Sequence, residues 1–77
     1  MRYVNRNTAQ AIVDELEEYS FFLVDQLGSE LFFATNTGTV DDDYLDLAYN
    51  VASEYEAVHV YPAFHQGQDC VVVEILR

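Results

Sequence analysis

The chain has no lysine at all, and between positions 7 and 76 it has no arginine either. Its three formal cations are Arg2, Arg6 and Arg77, whereas all fourteen Asp and Glu residues fall inside that cation-free stretch, giving a net charge of −11 in 77 residues. Phosphate binding and attraction to anionic lipid headgroups both draw on Lys and Arg, so direct contact with nucleic acid or membrane is excluded as an expected role. A single cysteine, Cys70, cannot form an internal disulfide, and the first residues lack the apolar run of a secretory signal, so a reducing cytoplasm is the expected compartment. No purely apolar run exceeds the four residues of 21–24, far short of the roughly 18 needed to span a bilayer. Only Gly28, Gly38 and Gly67 are present, each in a separate turn, so there is no glycine-rich phosphate loop.

What is present is enough to fold. Hydrophobic residues make up 51% of the chain, with five Phe and six Tyr, which sets it apart from disordered acidic segments. Residues 1–77 are read as one acidic domain of thin stability, because a chain this short buries little more than half of its unfolded surface. Asn7 or Thr8 is the expected cap of a helix reaching about Tyr19, with Ala9, Ile12, Val13, Leu16 and Tyr19 as its apolar stripe. A second helix is expected from Thr39 as N-cap, with Asp42 completing a capping box, to about Tyr55. It should bury Tyr44, Leu47, Ala48, Val51, Ala52 and Tyr55. Aromatic and β-branched runs at residues 20–26, 30–35, 57–64 and 69–76 read as strands in two hairpins. Pro62 cannot donate to a ladder, which puts its strand at an edge or a bulge.

The expected architecture is α+β: two helices packed on a four-stranded, mainly antiparallel sheet, order αββαββ, as a two-layer sandwich. Both halves place Glu-Tyr at the end of a helix, a small hint of internal duplication. The strands are apolar on both sides, and two helices on one side leave the other uncovered. Phe22, Val24, Cys70 and Val72 are the candidate residues of that second apolar face. Either the helices divide between the two faces, or a second copy or another partner covers the open one; a homodimer is the economical expectation.

Catalytic chemistry finds little support. Asp41, Asp42, Asp43 and Asp46 lack the alternating ligand spacing of a calcium loop and fit a helix N-terminus instead. His59, His65, Asp69 and Cys70 match no zinc pattern. An activated thiol needs nearby positive charge, and this chain supplies the opposite field. The sequence therefore predicts no catalytic residues, no metal and no cofactor.

The acidic residues are expected on the outer helix faces, as Asp14, Glu15, Glu17 and Glu18 on the first helix and Asp42, Asp43, Asp46 and Glu54 on the second, with Tyr49 among them as an aromatic contact. Dense single-signed charge costs stability through self-repulsion, and its use is steering and electrostatic complementarity toward a basic surface. In size and charge alone the chain resembles the small acidic inhibitors that phages and mobile elements direct against restriction, CRISPR or DNA-repair enzymes. That resemblance implies a non-enzymatic nucleic-acid mimic, acting in the host cytoplasm if phage-encoded, whose partner is a basic nucleic-acid-binding protein. The alternative is an immunity, antitoxin-like or homodimeric adaptor module that binds a basic protein without mimicry. A third reading, halophilic adaptation, is disfavoured by the aromatic content and the apolar run at 21–24.

Overall fold

The computed structural model describes residues 6–76, so Arg2 and Arg77 lie outside it. Its elements are α1 (Arg6–Glu18), β1 (Phe21–Leu27), β2 (Glu30–Thr35), α2 (Asp42–Ala52), β3 (Val58–His65) and β4 (Gln68–Ile75). The four strands form one antiparallel sheet in the order β1-β2-β4-β3, and both helices pack on the same face of it. The αββ unit thus occurs twice, its inner strands β2 and β4 antiparallel at the centre.

α1 forms where Ala9, Ile12, Val13 and Leu16 recur at helical spacing, and all four are buried. Asn7 and Thr8, expected as caps, lie inside the helix. The helix stops at Glu18, where the Tyr19 N–H closes a tight turn on the Leu16 carbonyl and Ser20 adopts a left-handed backbone (φ 69°). That turn carries Tyr19 out of the apolar stripe, and its ring is exposed rather than buried.

α2 starts two residues later than Thr39 predicts. The Thr39 carbonyl accepts a 2.6 Å hydrogen bond from the Thr35 hydroxyl, which commits it to the preceding loop. Asp41 caps instead, in extended backbone, its carboxylate accepting from the Tyr44 N–H at 3.1 Å. Asp42 and Asp43 then occupy the first turn, where the helix dipole favours them. The helix ends at Ala52, one turn short of Tyr55, which is therefore exposed; Ala48, Val51 and Ala52 are buried, and Tyr44 and Leu47 are half-buried.

The main core lies between the helices and the sheet. Phe21 sits at its centre, edge-on to Phe33 at 6.2 Å and to Tyr44 at 5.8 Å between ring centroids. Leu31, Val71, Val73 and Ile75 line the sheet side, against Ile12 and Leu16 of α1 and Ala48 and Ala52 of α2.

The second sheet face departs from the expectation of a wholly open apolar surface. The helices do not divide, yet Cys70 and Val72 are 0% exposed and Phe32 only 7%, in a separate small core. Val24, Tyr61 and Ala63 pack against this core, and the His65 ring stacks on Phe32 with centroids 4.3 Å apart. The chain covers its own second face with side chains from the edge strands and the tip of the β3–β4 hairpin. Cys70 and Val72 are thus internal, and of the four residues expected on an open apolar face only Phe22 is exposed (49%), with Val24 half-buried.

Candidate functional site

Two groups of polar side chains lie on opposite sides of the sheet. The first is the cover of the second face. β1 carries a bulge between Leu23 and Asp25, after which Asp25 stands opposite Phe32 on the second face. From the far edge, the Gln66-Gly67 turn at the hairpin tip, left-handed at both residues, brings His65 and Gln66 to the same carboxylate. His65 Nε2 lies 2.8 Å from Asp25 Oδ2, and the Gln66 amide donates to that oxygen at 3.3 Å. The hydrogen bond from His65 and that from the Gln26 N–H hold the Asp25 carboxyl below its ordinary pKa.

Beside this latch the Tyr61 hydroxyl donates to Glu30, reaching from β3 over β4 to β2. That bond, together with partial burial and the neighbouring carboxylates, pushes the phenol up to about 12. His59 stacks obliquely on Tyr61 at 5.0 Å and faces Glu74 at 3.5 Å. Cys70 lies beneath, its thiol directed at the His65 and Gln68 carbonyls at 3.9 and 3.8 Å. Burial, and then the nearby Asp69, raise its pKa. An Asp, a His and a Cys are thus close together without forming an activated thiol, because the sulfur is sealed from solvent and kept protonated. Among the described residues no group of three or more His, Cys, Asp or Glu side chains is placed to hold a metal ion. No described helix is long and apolar enough to cross a membrane.

The second group is the outer helix layer. Because α1 and α2 lie side by side on one sheet face, their solvent sides share one side of the molecule. Asp14, Glu17 and Glu18 of α1 and Asp42, Asp43 and Asp46 of α2 are all exposed there, as is Glu54 just beyond α2. Tyr49 is 49% exposed among them. Glu15 differs from its neighbours: it is half-buried and accepts from the Tyr55 hydroxyl, tying the end of α2 to α1. That bond, desolvation, and the charges of Glu15, Glu54 and Glu18 raise the pKa of Tyr55. Asp14 accepts from Gln10 at 2.8 Å, one turn earlier on the same helix. Among the residues whose side chains are described, the ion pairs run to His59 and His65 on the second face.

The last turn of α1 holds no basic residue but does hold Glu17 and Glu18, at the helix end where the dipole disfavours negative charge. The acidic helix faces were expected from periodicity. The Asp25, His65 and Gln66 latch was not, because its partners are 40 and 41 positions apart and nothing local announces that they meet. No known protein family, curated protein or solved structure matches the chain.

Proposed function

We propose that the protein is a non-catalytic binder, and an inhibitor, of a basic nucleic-acid-binding protein, with carboxylates of the α1–α2 layer taking the place of phosphates. The observation that carries this reading is the placement of the charge. Six carboxylates from two helices, Asp14, Glu17, Glu18, Asp42, Asp43 and Asp46, and a seventh, Glu54, just beyond α2, are exposed on one side of the sandwich. Two of them, Glu17 and Glu18, stand where they work against the dipole of their own helix.

Such a surface raises the rate of encounter with a basic cleft and supplies complementary charge once docked. Tyr49 adds an aromatic contact between the charges, the kind of residue that contributes affinity at the centre of an interface. The compartment proposed is the cytoplasm. Cys70 suits a reducing environment, since its thiol is buried and free.

Capture on the immobilised chain from a cytoplasmic extract, treated with nuclease, tests the proposal. A basic protein that is retained, and released by added DNA or RNA, supports mimicry. A basic protein that stays bound at saturating nucleic acid would assign the chain to the adaptor or antitoxin class instead.

A further inference from the structure

From the sheet edges we infer that two copies of the chain associate through β1, by antiparallel strand pairing about a two-fold axis at Phe22. The backbone of β1 supplies the geometry. Ile75 donates its N–H to the Ser29 carbonyl at 2.9 Å, so the alternate residues Val71, Val73 and Ile75 aim their backbones at β2. Their partners Leu31 and Phe33 aim back at β4. Leu23 stands opposite Phe33, and Phe21 opposite Thr35, so the N–H and C=O groups of Phe21 and Leu23 face away from β2, along an edge that no other described strand pairs with.

An axis through Phe22 sets Phe21 of each copy against Leu23 of the other, with two hydrogen bonds per pair over two symmetric pairs. The two Phe22 rings meet at the axis on the second face. The pairing stops at Ser20, which is left-handed, and at the bulge after Leu23.

Three features select a second copy as the occupant. Residues 19–24 carry no charge in a chain of net −11, so a basic partner finds no complement there, and two identical anionic molecules can approach. The exposed donors and acceptors are self-complementary under a two-fold, which closes the contact at two copies. The other edge, β3, carries Pro62, which lacks an N–H and blocks a β1-to-β3 contact that would extend without end. Native edges are guarded by charge, proline or bulges, and the stretch from Phe21 to Leu23 has none of these. The paired stretch is short, below the ~1,200 Å² of total buried area usual for tight complexes, so dissociation in the micromolar range is expected.

Sedimentation equilibrium between about 5 and 200 µM, in 50 and 500 mM salt, tests the inference together with amide hydrogen exchange. The expected mass rises from 8.8 kDa toward twice that value with concentration. It should rise further at high salt, because screening relieves the repulsion between copies; binding to a basic partner weakens with salt, so the two associations are separable. The Phe21 and Leu23 amides should exchange fast when dilute and slow on association, whereas the Phe22 amide stays slow throughout. Phe22→Glu and Leu23→Pro should remain at 8.8 kDa with the circular dichroism of the parent. An unchanging 8.8 kDa species would overturn the inference, as would a dimer that survives both substitutions. So would slow exchange of Leu23 in the dilute monomer, which would show that the edge is already covered within a single chain.

Discussion

Replacing Val72 with Thr isolates the claim that the chain closes its own second face. The two side chains are nearly isosteric, so the change opens no cavity; it exchanges a methyl group for a hydroxyl. Threonine is also a favourable strand residue, so at an exposed position the exchange is close to neutral. Val72 is 0% exposed and packs with Phe32 and Cys70 beneath Tyr61 and His65. Burying an unpartnered hydroxyl there costs about 1–3 kcal/mol. In a domain of this size each kcal/mol lowers the melting temperature by about 4–8 °C, so a 2 kcal/mol loss means about 8–16 °C. The assay is urea and thermal unfolding followed by far-ultraviolet circular dichroism, at concentrations below the expected dissociation constant of the self-association, where the monomer prevails. Phe22→Thr, on the same face but half exposed, is the control, expected within about 0.5–1 kcal/mol of the parent. A Val72→Thr protein within 0.5 kcal/mol of the parent would refute the reasoning, because it would mean that Val72 reaches water in the isolated chain.

Three further outcomes follow from the same geometry. His65→Ala removes the ring that stacks on Phe32 and grips Asp25, and should raise the rate at which a thiol reagent modifies Cys70 at least tenfold, whereas Glu54→Gln should leave it unchanged. Asp25 has its folded pKa lowered from 3.8, so its contribution to stability is present above about pH 4 and is lost as the pH falls through the lower folded value. The difference in melting temperature between the parent and Asp25→Asn should accordingly be fully present above about pH 5 and shrink below about pH 4; a difference that grows there would reverse the assignment. Asp42, Asp43 and Asp46 changed together to Asn should slow association with the basic partner roughly tenfold at low salt while changing dissociation less, as measured by stopped flow. An unchanged rate would remove the first turn of α2 from the interface.

The elements were legible because each carries its own period. The Ala9, Ile12, Val13 and Leu16 stripe, the two glycine-bearing hairpin turns and the edge position of Pro62 all follow from local pattern, and element order with one-sided helices follows from these. Element ends were less legible, because the Asp41 cap and the exposure of Tyr19 and Tyr55 depend on where each helix turns away from its stripe. The closed second face could not be read locally at all. Alternation in β4 correctly divides Val71, Val73 and Ile75 from Cys70 and Val72. It carries no information on the long-range packing that stacks His65 of the hairpin tip on Phe32 or on the bulge that stands Asp25 opposite it. The acidic layer was legible for a related reason: an exposed charged face is fixed by helical phase alone, without any knowledge of packing partners.

The central claim, that the carboxylate layer occupies a nucleic-acid site, is tested most directly by an equilibrium competition on the captured basic protein. Its affinity for the chain is titrated at rising concentrations of its own DNA or RNA, at fixed salt. Mimicry predicts mutual exclusion, with the apparent Kd of the chain rising in proportion to free nucleic acid. A ternary complex, with the Kd unchanged at saturating nucleic acid, would contradict it.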